Sequence, residues 1–111
     1  MSPAGEREAT RLLLSRLTAT QRDTFPHGYF DVTGSRGGQY RVSTRSTIQN
    51  ITQYRTGGKV EFCVTVAGVQ YRPYVWLAQK ILIESDEGRF LRTAVAYERV
   101  LQQEVSRYQI W

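Results

Sequence analysis

Residues 76–94 read WLAQKILIESDEGRFLRTA, and this run decides the fold. It predicts one helix, a sharp break and the start of another. Trp76, Leu77, Lys80, Ile81 and Glu84 recur at helical spacing. Ile81, Leu82 and Ile83 are consecutive and apolar, too broad for one narrow stripe, so the helix is expected to be buried on most sides. Pro73 suits a first helical turn, where its missing N–H would have no intrahelical partner. Ser85 and Asp86 are N-cap types, and Glu87 puts negative charge where a helix dipole favours it.

Downstream, Phe90, Leu91, Ala94, Tyr97, Leu101 and Val105 continue at three- and four-residue spacing. They predict one long terminal helix from about Glu87 to Tyr108. Gly88 weakens its first turn by about 1 kcal/mol relative to alanine, so packing must hold that end. Trp76, Leu77, Ile81, Phe90 and Leu101 are the expected core of this half.

Upstream, Gly5 to Leu17 carries Ala9, Leu12, Leu13 and Leu17 on one helical stripe. Thr18 to Gln21 has the form of a capping box and opens a short helix to about Phe25, ended by Pro26 and Gly28. The run LTATQR invites a helix-turn-helix reading, but Pro26-His27-Gly28 leads into β-type sequence instead of a recognition helix. Strands are expected at Tyr29–Thr33, Gln39–Arg45, Thr47–Tyr54 and Val60–Val66, separated by glycine-bearing turns. Tyr40, Val42 and Thr44 alternate with Arg41, Ser43 and Arg45, as do Val60, Phe62, Val64 and Val66 with Glu61, Cys63 and Thr65. The expected architecture is α+β: N-terminal helices, a three- to four-stranded antiparallel meander and two C-terminal helices packed on the sheet.

With 111 residues the chain has the length of one domain, expected to span 1–111. No apolar run approaches the roughly 18–20 residues of a membrane span. The first residues mix acids and arginines, unlike a secretory signal. The lone Cys63 has no internal disulfide partner, and a cytoplasmic location is expected. The net charge of +5 is concentrated: residues 36–80 hold an excess of six positive charges, while the flanks nearly balance. Such an excess attracts phosphate or acidic partners, and it equally describes a solvated arginine-rich face.

GYFDVTGSRGGQYRV (28–42), Asn50-Ile51, the FCV of 62–64 and LAQKILIESDEGRFLRTA (77–94) together resemble a small domain of uncharacterised bacterial and phage proteins. In that family an LAQK-type helix runs into an acidic break and an FLR-type helix start. The resemblance covers roughly Leu17 to Ala96. It implies a compact module of bacterial or phage origin and carries over no activity, cofactor or site residue.

No catalytic, cofactor-binding or metal-ligating set emerges from the residues. His27 and Cys63 are each the only one of their kind. A Cys–His nucleophile pair would need them adjacent, with a third group orienting the base. Glu84, Asp86 and Glu87 read as a helix junction, too few oxygens for a dedicated cation site. Gly34 to Gly38 lacks the Gly-Lys-Ser/Thr of a phosphate loop and reads as a hairpin connection. Single-strand binders expose aromatics and arginines together. Here Tyr40 and Phe62 fall on the apolar side and the arginines on the other, which argues against base stacking and leaves phosphate contact open.

The expected function is that of a non-enzymatic binding or accessory module acting by association with a protein or with itself. The surface expected for it is the apolar C-terminal segment, with Val105, Tyr108, Ile110 and Trp111. The alternative is sequence-independent nucleic-acid binding through Arg36, Arg41, Arg45, Arg55 and Lys59 on a basic sheet face.

Overall fold

The expected cap residues Thr18 and Asp86 each open a helix where they stand. The computed structural model describes residues 2–64 and 71–99. The Ser2 side chain accepts from the Gly5 amide and opens α1, Pro3–Arg16, whose Ala9 and Leu13 are buried. Thr18 caps α2, Ala19–Thr24, and the capping box is complete: the Thr18 hydroxyl accepts from the Gln21 amide, and the Gln21 side chain accepts from the Thr18 amide. A 3-10 turn, Phe25–His27, ends at Gly28 in the left-handed region, φ 94°.

Four strands follow as a meander: β1 Tyr29–Thr33, β2 Gln39–Ser43, β3 Ile51–Arg55 and β4 Gly58–Cys63. Helix α3, Arg72–Ser85, and helix α4, Glu87–Thr93, come next. The chain then returns as β5, Val95–Arg99, antiparallel to β4. The result is α+β with a five-stranded antiparallel sheet ordered β1-β2-β3-β4-β5. Phe30, Val32, Tyr40, Val42, Ile51, Val60 and Phe62 form the inner face of the sheet and are buried with Leu13, Trp76, Ile83 and Phe90 of the helices. Among the described residues the helices pack on this face only.

Three expectations are corrected. The sheet has five strands, because the long terminal helix stops at Thr93 and the chain turns extended at Ala94. Tyr97 fits a helical stripe by its spacing, but Val95 to Arg99 pairs with Lys59 to Cys63 and satisfies backbone groups that β4 would otherwise leave open. Leu101 and Val105 lie outside the described residues. Ile81 is 50% exposed, and Leu82 only half-buried. Three consecutive residues sweep too wide an arc of a helix to face one core, and Gln79 and Lys80 occupy buried positions instead. Finally, β3 begins at Ile51, since residues 46–50 form a turn in which Gln49 takes φ 53°.

Two polar contacts explain those buried positions. Gln79 and Asn50 exchange reciprocal amide hydrogen bonds of 2.9 and 3.0 Å, and Asn50 also donates to the Ser43 carbonyl. Lys80 reaches Glu84 one turn on, at 2.6 Å. The Trp76 indole donates to the Ser46 carbonyl at 2.9 Å, tying α3 to the turn before β3.

Phe90 is fully buried and meets Tyr40 and Phe62 with ring centroids 5.4 and 5.1 Å away. Phe90→Ala is expected to cost about 3–5 kcal/mol in urea unfolding. Leu91→Ala, at a position 41% exposed, should cost only about 0.5 kcal/mol.

Candidate binding face

The β1–β2 connection binds an anion, and the anion belongs to the chain. Glu87, the first residue of α4, is buried at 4% exposure. Its carboxylate accepts from the Arg36 amide at 2.7 Å, the Gly38 amide at 3.3 Å and the Tyr40 hydroxyl at 2.6 Å. The Glu87 amide in turn donates to the Ser35 hydroxyl at 2.8 Å, and the Ser35 amide to the Ile83 carbonyl at 3.1 Å. A methyl group on Gly34 or Gly38 would run into the Glu87 carboxylate. One on Gly88 would meet the Arg36 guanidinium. Gly37 turns the loop at φ 91°. The loop is the hairpin connection expected from its glycines, and its anion-binding amides are already occupied.

Burial alone would raise the Glu87 pKa. The Tyr40 hydroxyl, the Arg36 and Gly38 amides and the Arg36 charge outweigh it and hold the carboxyl below its ordinary value. Tyr40 shifts upward, first through burial and then through its hydrogen bond to Glu87. The neighbouring acids have separate tasks, since Asp86 caps α4 through the Arg89 amide at 3.0 Å and Glu84 pairs with Lys80.

Among the described residues no helix covers the opposite face of the sheet. By the alternation of the strands that face presents Tyr29, Asp31, Arg41, Thr52, Tyr54, Lys59 and Glu61. Arg41 is fixed on it from two sides. Its Nε and Nη2 lie 2.8 and 3.2 Å from the Asp31 carboxylate, and its guanidinium sits 4.0 Å over the Tyr29 ring. Lys59 approaches Glu61 at 3.8 Å. Tyr54 is 66% exposed.

The five predicted basic residues therefore do not share one face. Arg41 and Lys59 project from the outer face. Arg55 is in register with the inner set, opposite Gly58 at the end of β3, and its charge reaches Tyr40. Arg36 is in the β1–β2 loop against Gly88. The ladder puts that loop and the β3–β4 turn at the same end of the sheet, about two strand spacings or ~10 Å apart. Arg36, Arg55 and Lys59 form a basic end there. Arg45 stands at the other end, beside Gly28.

Sequence reasoning missed Tyr29 and Tyr54. The alternation in β1 that buries Phe30 and Val32 already turns Tyr29 outward. Tyr54 needed the register, because Ile51, and not Tyr54, points into the core. His27 precedes β1 and Cys63 ends β4, and those two strands stand three strand spacings or ~14 Å apart in the sheet. Among the described residues no group of three or more His, Cys, Asp or Glu could hold a metal ion, and no helix is long and apolar enough to cross a membrane. Val105, Tyr108, Ile110 and Trp111 lie outside the described residues.

Glu87→Gln should destabilise the protein by about 1.5–3 kcal/mol near neutral pH, because it removes a charge that accepts three hydrogen bonds. The folded pKa lies below the ordinary value of 4.5, so this contribution is complete above that pH and is lost as pH falls through the lowered folded value. Urea unfolding across the acid range is expected to show the gap between wild type and variant narrowing as pH drops. A gap independent of pH would mean that the carboxylate charge contributes nothing.

Comparison with protein-family models, curated proteins and solved structures finds no match, so the function of this face is argued from its own chemistry.

Proposed function

We propose that the chain is a non-enzymatic binding module whose partner is nucleic acid, held through phosphates at the basic end of the sheet. One observation carries this reading: the two hairpin ends gather Arg36, Arg55 and Lys59 at one end of the sheet, with Lys59 on the face that no described helix covers. The nearest buried acid, Glu87, lies beside Arg36 and offsets part of its charge. The excess charge of the chain, +5 overall, favours the same class of ligand. Guanidinium and ammonium groups at a strand end contact phosphate without reading bases, which makes this grip independent of sequence.

Association with a protein or with a second copy is the second reading. Tyr54 and Val95 favour it, exposed at 66% and 55% on the sheet. The ion pair of Asp31 with Arg41 also leaves the middle of the outer face close to neutral, and Glu61 offsets part of the Lys59 charge at its end.

A salt titration separates the two. Wild type should bind labelled nucleic acid at low salt. In Arg55→Ala/Lys59→Ala the slope of log affinity against log salt should flatten by about 0.7–0.9 for each phosphate no longer neutralised. Arg45→Ala, at the far end, should bind as wild type does. Absence of binding at low salt, or equal binding by the double variant, overturns the nucleic-acid reading. A dimeric mass in light scattering without any such binding supports association instead.

A further inference from the structure

Next to the basic end, the outer face holds a shallow concavity of about 180 Å³ lined by Asp31, Gln39, Tyr40, Arg41, Thr52 and Tyr54. Its chemistry differs from that of the end it adjoins. Asp31 and Arg41 cancel in charge and lock each other at 2.8 Å, and Arg41 is further held over Tyr29. Gln39 and Thr52 add donors and acceptors without charge. Tyr54 forms one wall with its ring open to solvent, and among the described residues it makes no ring–ring contact. The volume is below the roughly 300 Å³ at which drug-sized ligand pockets begin, so it suits one flat ring and not a whole cofactor.

A neutral hollow with a free aromatic wall and hydrogen-bonding groups around it is a poor seat for phosphate. It is a good seat for a planar heterocycle with donors and acceptors on its edge. We infer that this concavity seats one unpaired nucleobase, its ring against Tyr54 and its edge toward Asp31, Gln39 and Thr52. The flanking phosphate then falls to Lys59, which stands opposite Tyr54 across the β3–β4 hairpin. This inference rests on reading the basic end as a nucleic-acid surface, and it narrows the ligand to a single strand. Bases inside a duplex are stacked and paired, and a flat sheet cannot reach their ring faces. Stacking accepts every base, so the preference among bases comes from the edge contacts and is modest.

The experiment is fluorescence anisotropy at fixed low salt with labelled single-stranded RNA and DNA homopolymers and a duplex of equal length. Wild type should prefer the single strands. Tyr54→Ala should weaken single-strand binding by about tenfold or more, with Tyr54→Phe close to wild type and duplex binding unchanged. The salt slope should survive Tyr54→Ala and flatten in Lys59→Ala. Tyr54 is exposed, so neither Tyr54 variant is expected to disturb folding, and circular dichroism checks this. The RNA and DNA arms tell which backbone is preferred. Unchanged single-strand affinity in Tyr54→Ala, or a wild-type preference for duplex, overturns the base seat while leaving the phosphate grip intact. No binding to any probe overturns both.

Discussion

A single buried carboxylate joins the two halves of this protein. Glu87 begins α4, yet its oxygens lie in the β1–β2 loop, nearly fifty residues earlier in the chain, on the Arg36 and Gly38 amides and the Tyr40 hydroxyl. A buried charge is costly unless its hydrogen-bonding capacity is filled, and here the loop amides and a phenol fill it. The glycines that let the loop approach leave no room for a side chain. Once Glu87 is seated, Phe90 one turn later falls between Tyr40 and Phe62, so the polar clamp and the aromatic packing fix the same helix position.

The Asn50–Gln79 amide pair does comparable work for α3. Both contacts join a helix to a sheet connection through groups that tolerate only one register. The GSRGG loop, Asn50, the LAQK helix and the DE break are the stretches that make these contacts. Such residues specify how helices dock, and no chemistry needs to be read into them. With α1, α3 and α4 all drawn to the inner face, no described helix is left to cover the outer one.

The outer face divides its labour by charge. In its middle, Arg41 is balanced by Asp31 and stacked over Tyr29, so the guanidinium is rigid and largely neutralised. At the hairpin end, Arg36 lies beside Glu87, Lys59 approaches Glu61 at 3.8 Å, and Arg55 stands with them. A polyanion whose bases project from its backbone would use both zones, the neutral one for rings and the cationic one for phosphates. A folded protein partner would use mainly the neutral zone.

Local signals in the sequence determined most of the elements. The Thr18–Gln21 capping box, the Tyr29–Thr33 strand, the glycine-rich connection and the Asp86 cap all stand where local chemistry puts them, because each depends on residues within a few positions. The terminal strand was not legible: Val95 to Arg99 fits either periodicity over so few residues, and only the open edge of β4 selects the extended form. Nor was Glu87's task, since an acid at a helix start looks the same whether it faces water or a loop folded over it. The candidate face was half legible. Arginine and tyrosine positions could be counted in the sequence, but which of them share a surface depends on strand register, and a shift of one residue exchanges the two faces. Tertiary packing made that choice by burying Ile51, and so turned Tyr54 outward beside Arg41.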